Sequence, residues 1–491
     1  MITIIGGGLA GSEAAWQAAT AGVPVTLHEM RPVRPTAVHR TDRFAELVCS
    51  NSFRGDKLDN AVGLLKEEMR RLGSLVMRAA DAARVPAGAA LAVDRERFSA
   101  EVTRAIATHP LVTIVREEIE RIPTGTRGPV IVATGPLTSE ALSADIARLV
   151  GSKHLYFYDA ISPIVLAETI DMSKVFRASR WGRSLRSREP GLPAEAHRES
   201  ASGTQAGPAC GTDDGEGDYL NCPFTKEEYA RFYDALMTAE KAPLHEFDDP
   251  KFFEGCLPIE VMASRGVDTL RFGPMKPVGL RDPRTGRDAY AVVQLRQDNL
   301  AGDHFSLVGF QTQMKWGEQA RVLRLIPGLE QAEFVRFGMI HRNTYVNGPT
   351  VLRETWQVRP FVTAQGGSRD DVFFAGQMSG VEGYVESAAS GLIAGRNAAA
   401  LALGRAPSAP PRTTAIGALG YYVANADPRH YQPSNITFGI MPPLPDAGGR
   451  KANRKVALSE RALQDLDSWI AGQVQPIVDA DRGLETPANQ R

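Results

Sequence analysis

Cysteine is scarce in this chain, which carries four cysteines among 491 residues. They are widely spaced and form no C-x-x-C pair, so the sequence has neither the usual ligand spacing of a zinc site nor a dithiol redox centre. It also lacks the cysteine density of a disulfide-stapled secreted protein, and we expect a reducing, cytoplasmic location and no bound metal. The cysteines are Cys49, Cys210, Cys222 and Cys256.

Long apolar runs and a strong excess of one charge are absent as well. No apolar stretch approaches the ~18 residues that a membrane-spanning helix needs. We expect no signal peptide, because a strand-like segment begins at residue 2. The net charge of -1 argues against a uniformly basic nucleic-acid-binding protein but leaves local basic patches open. At 491 residues the chain is long enough for two or more domains.

A glycine-rich segment near the N-terminus is the most informative pattern that is present. Apolar residues 2–5 run into G-x-G-x-x-G and then into helix-forming residues 13–19. In such a turn the glycines permit a tight bend, close approach of the backbone to a pyrophosphate, and close packing of helix on strand. A second predicted strand ends in an acid at about the offset that binds a ribose hydroxyl. A glycine turn without a ligand is the alternative. The predicted cofactor-binding residues here are Gly6, Gly7, Gly8, Leu9, Ala10, Gly11 and Glu29.

A second strand–turn–helix pattern lies far along the chain. Residues 371–380 predict a strand that enters a glycine turn, and residues 384–398 predict a small-residue helix after it. Residues 129–136 predict a buried strand that ends in Ala-Thr-Gly. Segments from both ends of the chain suit a two-part FAD fold, and the lack of a second complete fingerprint argues against a separate NAD(P)H domain. These segments add Thr134, Gly135, Gly376, Gln377, Gly380 and Gly383 to the predicted cofactor site.

The patterns together predict an α/β fold with a discontinuous Rossmann-like FAD-binding domain over residues 1–160 and 335–405. Residues 161–334 are predicted to form an inserted α+β domain. Within it, the stretch 183–217 is rich in polar residues, glycine and proline, which is typical of a flexible loop. Residues 406–491 are predicted to form a linker, a C-terminal helical segment and a tail.

Local signals add several elements. Apolar spacing predicts one amphipathic helix over Leu64–Met77, and Asp94 is a predicted N-cap. Thr225 and Glu228 have the spacing of a capping box at the start of a helix. Residues 255–315 contain several β-like runs.

Two of the cysteines lie in contexts that suit chemistry. Cys49 is followed by Ser50 and Asn51, and Cys222 lies between Asn221 and Pro223. A thiol near cationic groups can act as a nucleophile. The alternative is that each cysteine is a small buried apolar residue.

A run of mixed polar and aromatic residues and a basic run are further candidates for binding. Residues 341–345, His-Arg-Asn-Thr-Tyr, could line a planar heteroaromatic ligand or form a solvated loop. Residues 173–188 contain six basic residues and no acid, with Phe176 and Trp181 interleaved. Such a run is typical either of phosphate contacts or of a solvated charged face.

Six segments appear together and in order: residues 6–17, 49–52, 221–223, 271–280, 341–345 and 376–384. In this respect the chain resembles the folate- and FAD-dependent tRNA (uracil-C5) methyltransferase family over roughly residues 1 to 470. The loop at 183–217 looks longer than the family usually carries. The resemblance implies a cytoplasmic enzyme that makes 5-methyluridine at position 54 of the tRNA T-loop. It also implies FAD, 5,10-methylenetetrahydrofolate as one-carbon donor, NADPH or NADH as reductant, and no obligate protein partner.

The resemblance also implies roles for individual residues. Cys222 is expected to add to uracil C6 and Cys49 to remove the C5 proton, although the reverse assignment stays open. The expected folate-binding residues are His341, Asn343 and Tyr345. The expected tRNA-binding residues are Lys174, Arg177, Arg180 and Arg183.

Three competing functions remain at this stage. The first is the related, larger flavoprotein that modifies wobble uridines and needs a GTPase partner, and the second is a generic FAD-dependent NAD(P)H oxidoreductase. The third is a tRNA-binding flavoprotein without catalysis, for which the two cysteines would be dispensable.

Overall fold

A computed structural model describes residues 1–36, 38–123, 128–150, 155–160, 162–182, 217–242, 257–338, 340–362, 368–444 and 451–473. In this part of the chain the helices are α1 Leu9–Thr20, α2 Ala61–Arg71, α3 Leu75–Ala82, α4 Arg95–Ala107, α5 Glu140–Val150, α6 Lys226–Thr238, α7 Ile259–Ala263, α8 Thr269–Phe272, α9 Trp316–Leu323, α10 Gly348–Val351, α11 Tyr384–Ala402, α12 Ala415–Asn425 and α13 Lys451–Gln473.

The strands of the same residues are short, and most of them belong to one of two large sheets. They are β1 Ile2–Ile5, β2 Val25–Glu29, β3 Ser52–Gly55, β4 Arg84–Val85, β5 Ala90–Val93, β6 Val112–Arg116, β7 Val130–Val132, β8 Leu155–Ala160, β9 Ile164–Leu166, β10 Phe176–Ala178, β11 Tyr219–Phe224, β12 Arg281–Asp282, β13 Arg287–Asp288, β14 Ala291–Gln297, β15 His304–Leu307, β16 Phe334–Arg336, β17 Ile340–Tyr345, β18 Phe361–Val362, β19 Ser368–Arg369 and β20 Val372–Phe374.

The first large sheet is parallel and has the order β20-β7-β1-β2-β6. Its apolar strands pack against α1 and α11, which contact each other closely because Gly391 and Gly395 of α11 lie against the α1 backbone. The strand β20 joins from the far end of the sequence, as the two-part fold predicts. The predicted α/β class with a Rossmann-like parallel sheet is therefore confirmed.

The second large sheet is antiparallel and has the order β10-β11-β14-β15-β9-β16. Its core is separate from that of the first sheet: one apolar cluster includes residues between 165 and 332, and the other includes residues between 2 and 150 and between 346 and 466. The domain boundaries predicted from the sequence stay predictions. No helix in the described ranges is both long and apolar enough to cross a membrane.

The single amphipathic helix predicted over Leu64–Met77 is wrong. The structure has α2 and α3 instead, because Gly73 adopts a left-handed φ of +74° and ends the first helix. Asp94 caps α4 by accepting from the Arg97 amide, as predicted. The capping box of Thr225 and Glu228 is also confirmed.

The buried carboxylate of Glu68 ties α2 to the start of α12. It accepts from the amides of Ala415 (2.7 Å) and Ile416 (2.8 Å) and is fully buried. Burial raises the pKa of Glu68 to about 8, and the two amide bonds only partly offset this effect. Since the folded pKa lies above the ordinary value, the contribution of Glu68 to stability is complete at low pH and is lost as the pH rises towards 8.

We therefore expect the wild-type free energy of unfolding to fall relative to that of Glu68→Gln between about pH 4.5 and 8. The expected slope is about 1.4 kcal/mol per pH unit, because one pKa unit corresponds to that free energy. Urea unfolding at several pH values checks this. Glu68→Gln carries no titrating group at this position, so parallel pH curves for the two proteins would contradict the assignment.

Candidate functional site

A cleft of about 410 Å³ opens at the carboxyl ends of the parallel strands. This is the edge at which open α/β sheets bind their ligands. Most of the predicted cofactor-binding residues lie in its wall, which they share with side chains from the second sheet. Those in the wall are Gly6, Gly7, Gly8, Leu9, Ala10, Glu29, Thr134, Gly135, Gly376, Gln377 and Gly383.

In the turn after β1, each of the three spaced glycines is required for a different structural reason. Gly6 has a φ of +101°, and a Cβ there would lie 2.6 Å from the Ala133 carbonyl oxygen. A Cβ on Gly11 would lie 1.8 Å from the Gly6 carbonyl oxygen, so this glycine serves helix–strand packing and does not line the cleft. A Cβ on Gly8 would meet no atom within 4 Å, because this position faces the open cleft.

The Glu29 side chain is hydrogen-bonded to the glycine turn. Its carboxylate accepts from the Gly7 amide (2.8 Å) and from the Arg31 side chain (2.8 Å). Burial alone would favour the protonated acid, but the Arg31 guanidinium and the amide bonds hold the pKa of Glu29 below its ordinary value. The group is thus an anionic acceptor fixed beside the turn.

Two helices begin in the cleft without a capping side chain. Gly8 is the N-cap of α1, and Gly383, with a φ of +109°, is the N-cap of α11. At each helix start the backbone amides and the positive end of the helix dipole face the cleft, and no side chain caps them. These residues fit a dinucleotide cofactor, because the α1 end suits a pyrophosphate and the α11 end suits ring carbonyl oxygens.

Gly380, another predicted cofactor-binding residue, packs against a tyrosine. It is not part of the cleft wall, and its φ is +88°. A Cβ there would lie 2.0 Å from the Tyr431 hydroxyl oxygen, whose hydroxyl donates to the Gly380 carbonyl (3.0 Å). The glycine is explained by this close packing.

Cys49 lies in the cleft wall, on the segment that leads into β3. Its amide donates to the Tyr384 hydroxyl oxygen (2.8 Å), and Tyr384 begins α11. Its carbonyl accepts from Arg336 (2.9 Å) and Arg95 (3.3 Å). Side chains from α4, α11 and β16 therefore hold the backbone of Cys49 in place.

Three guanidinium groups surround this cysteine. Arg95, Arg296 and Arg336 all interact electrostatically with Cys49. Asp298 pairs with Arg95 (2.9 Å), which leaves the cluster with an excess of positive charge. Burial and the neighbouring Arg95 lower the pKa of Arg336 to about 10, and burial also lowers the pKa of Arg296. The cluster therefore places positive charge around a cysteine that is a candidate nucleophile.

Arg296 and Asn51 connect the second sheet to the Cys49 segment. Arg296 donates to the Asn51 side-chain oxygen (2.9 Å) and to the Ser50 hydroxyl (2.8 Å). Asn51 in turn donates to the carbonyls of Val93 and Gln297, both at 3.0 Å. These bonds connect the segment to β5 and β14 and fix its orientation.

Cys222 lies on the other face of the second sheet. In β11 it pairs with Val293 of β14, and both side chains belong to the apolar core with no exposed area. Side chains alternate along a strand, so Arg296, three residues after Val293 and roughly 10 Å along β14, points to the opposite face. Burial raises the pKa of the Cys222 thiol far above its ordinary value. The structure thus does not bring the two predicted catalytic cysteines together.

The predicted folate residues fall on β17, which pairs with β8. The side chains of His341 and Asn343 lie outside the described part of the structure. Tyr345 is buried against Tyr431, with ring centroids 6.1 Å apart, and is not part of the cleft wall. Burial raises the pKa of Tyr345 to about 12.

Of the predicted tRNA-binding residues, Lys174 precedes β10, Arg177 lies within it and Arg180 follows it. Lys174 pairs with Glu330 (2.8 Å), and Arg177 lies 6.0 Å from the Phe305 ring centroid. Arg180 donates to the carbonyls of Val278 (2.7 Å) and Lys276 (2.6 Å). Arg183 and almost all of the predicted 183–217 loop lie outside the described residues.

The sequence did not identify the arginine cluster or Tyr384 as site residues. Arg296 left one signal, since it directly follows the mostly apolar run 291–295, and a charged side chain is costly to bury unless it makes polar contacts. Arg95 and Arg336 left none, because their neighbours are distant in the sequence. Among the described residues no group of three or more His, Cys, Asp or Glu side chains could hold a metal ion.

The comparisons with known proteins agree with this architecture. Residues 1–190 and 180–406 match the family described as Glucose inhibited division protein A. A structure of Aquifex aeolicus GidA superimposes with a TM-score of 0.63 over 95% of this chain and 73% of that chain, and at 18% identity it shows a shared fold.

Full-length relatives are much more similar in sequence. A protein of Symbiobacterium thermophilum named methylenetetrahydrofolate–tRNA-(uracil-5-)-methyltransferase TrmFO is 56% identical over 97% of this chain and 99% of its own length. A protein of Enterococcus faecalis with the same name is 54% identical over 94% of this chain and 97% of its own length. The chain therefore belongs to the GidA family of flavoproteins and, within it, to the methylenetetrahydrofolate–tRNA-(uracil-5-)-methyltransferases named TrmFO.

Proposed function

We propose that this protein methylates C5 of the uridine at position 54 of the tRNA T-loop, with methylenetetrahydrofolate as donor, FAD as cofactor and NAD(P)H as reductant. The observation that carries the proposal is the position of Cys49. A cysteine held among three arginines lies in the wall of a cleft whose glycine turn and helix starts suit a dinucleotide. The names of the full-length relatives support the substrate and the donor.

The chemistry needs a nucleophilic thiolate, because uracil C5 becomes nucleophilic only after C6 is saturated. Of the two assignments that the sequence leaves open, we favour the one in which Cys49 adds to C6. Its thiolate would form the C6–S bond and shift the C5=C6 electron pair towards C5. C5 would then bond to the one-carbon unit, and loss of the C5 proton to a base would break the bond between that carbon and the nitrogen that carries it. A hydride delivered to the resulting exocyclic methylene would expel the Cys49 thiolate and restore the C5=C6 double bond.

The burial of Cys222 supports this choice. Its thiol lies in an apolar core, and burial raises its pKa, so the thiolate is disfavoured there. For Cys222 to take part as the base, its strand would have to expose a thiol that now packs on the far face of the sheet.

The cofactor would be held by the residues of the cleft. The amides at Gly8 would bind the pyrophosphate, Glu29 the ribose hydroxyl, and the start of α11 the ring carbonyls. The bound flavin would supply the reduction that leaves a methyl group on the base. His341, Asn343 and Tyr345 would contact the folate.

The protein would act in the cytoplasm.

A donor experiment tests the function. The FAD-loaded protein and NAD(P)H are incubated with tRNA that lacks T-loop modification, and the methyl donor is either labelled methylenetetrahydrofolate or labelled S-adenosylmethionine. We expect label in the T-loop uridine with the folate only. NAD(P)H oxidation without label from either donor would favour a generic oxidoreductase, and label in the wobble uridine would favour the GidA-type reaction.

A further inference from the structure

Residues 271–280 do not line the cofactor cleft, and two of their apolar side chains are exposed although Met275 and Leu280 are buried. Phe272 is 79% exposed and Val278 45% exposed, and Lys276 is exposed between them. Trp181, from the turn after β10, is 68% exposed. An exposed patch of large apolar side chains often marks an interaction surface, whereas a single exposed apolar side chain needs no explanation.

Trp181 belongs to the same surface as this segment. Its amide donates to the Gly279 carbonyl (3.2 Å), and its ring lies so close to Gly279 that a Cβ there would be 2.8 Å away. Trp181 has a φ of +60°, a conformation that costs a bulky residue free energy. Arg180 fixes the arrangement through the carbonyls of Lys276 and Val278. We call Trp181, Phe272, Lys276 and Val278 the rim surface.

The rim surface adjoins the wall of the cleft. Pro274, within the segment, packs on Gly309, where a Cβ would lie 2.7 Å from the Pro274 Cβ. Gly309 lines the cleft together with Arg296. The Val292 amide of β14 donates to the Met275 carbonyl (3.0 Å). Pro274 and Met275 therefore anchor the segment that carries Phe272 and Lys276 to β14 and to the wall of the cleft.

The charge around the rim surface is positive. Asp268 and Asp282 are engaged by Arg271 (2.6 Å) and Arg284 (2.8 Å). Besides Arg284, the exposed basic side chains of residues 271–288 are Lys276, Arg281 and Arg287, beside the exposed acid Asp288. Aromatic faces combined with basic side chains are the combination that binds unstacked bases and phosphates of single-stranded nucleic acid.

We propose that the rim surface is a stacking platform for unpaired RNA bases, with Trp181 and Phe272 as the stacking rings and Lys276 as a phosphate contact. The inference rests on the proposed function, because it assigns where the loop that presents the target uridine docks. A loop must open to deliver a base into the cleft, and its displaced neighbours need a stacking partner outside the cleft.

The test is tRNA binding by the full-length, FAD-loaded protein, measured as fluorescence anisotropy of labelled tRNA without T-loop modification. We expect Trp181→Ala and Phe272→Ala each to raise Kd about tenfold. Lys276→Ala should raise Kd and lower the slope of log K against log salt by about 1. Flavin content and NAD(P)H oxidation should stay at the wild-type level.

Matched variants separate stacking from general apolar contact. Phe272→Trp should keep tRNA affinity, whereas Phe272→Leu should lose it, because leucine has no π face. Trp316→Ala is the control, since Trp316 is 60% exposed on α9 outside the rim surface. We expect its Kd to equal that of the wild type.

The outcomes are distinguishable. Kd values of the three alanine variants within twofold of wild type would overturn the proposal and favour a protein partner for the exposed aromatics. Loss of tRNA binding together with loss of flavin would also overturn it, since it would show a structural role. If the wild-type protein does not bind tRNA at all, the proposed function itself fails.

Discussion

Replacing Cys49 with alanine is expected to abolish methyl transfer to tRNA, with a loss of ~10³-fold or more in kcat. The physical reason is that alanine cannot add to uracil C6, so C5 stays a poor nucleophile whatever else is bound. The same variant should form no covalent adduct with tRNA that carries 5-fluorouridine in the T-loop. In this substrate fluorine takes the place of the C5 proton, so the reaction of the wild-type protein stops at the adduct. A denaturing gel detects the adduct, and flavin absorbance shows that the cleft is intact.

Cys222→Ala is the matched comparison. Because Cys222 packs in an apolar core on the far face of the sheet, we expect this variant to form the adduct still. It should lower the free energy of unfolding by about 1 kcal/mol through the lost sulfur contacts. An adduct that persists in Cys49→Ala and disappears in Cys222→Ala would reverse the assignment of the nucleophile.

Gly8→Val is expected to remove most of the bound flavin, to less than about a tenth of the wild-type content, and leave the chain folded. Gly8 has a φ of -74° and a ψ of -167°, which valine adopts readily, and a Cβ there meets no atom within 4 Å. The valine side chain would therefore occupy only the space that a pyrophosphate needs. Visible flavin absorbance per mole of purified protein gives the cofactor content.

Two other glycines provide the controls for this prediction. Gly11→Ala should lose stability as well as flavin, because a Cβ there would lie 1.8 Å from the Gly6 carbonyl oxygen. Gly317→Ala, on α9 with no atom near its Cβ position, should keep full flavin content. We expect the stability of the flavin-free Gly8→Val protein to match that of flavin-free wild type within about 0.5 kcal/mol. Stoichiometric flavin in Gly8→Val would show that the pyrophosphate does not approach this turn.

Short-range patterns in the sequence predicted the first sheet well. The run from Ile2 through the glycine turn, the helix after it and the strand ending at Glu29 all rest on period and turn chemistry, which are local properties. The caps of α4 and α6 are local as well. The interruption at Gly73 was missed because the apolar spacing continues across it, and spacing alone does not reveal a left-handed φ.

The cofactor site was predictable to the extent that each glycine has a local reason. Gly11 and Gly380 share the turn pattern of the cleft glycines, but their nearest neighbours are the Gly6 carbonyl and the Tyr431 hydroxyl, so packing accounts for these two glycines. Arg180 was expected to contact phosphate, and the structure shows it bonded to backbone carbonyls within the protein. A basic residue in a sequence gives its charge but not its partner.

The sequence by itself determined the α/β class, the dinucleotide turn and the family, because these depend on residues that are neighbours along the chain or on motifs that keep their order. Only the tertiary structure decided which cysteine meets the cleft and which lies in a core. That outcome depends on the strand register that turns Cys222 towards Val293, and on Arg95, Arg296 and Arg336 converging on Cys49 from three separate elements. Register and convergence are set by packing between distant segments, and a single sequence carries no local pattern for either.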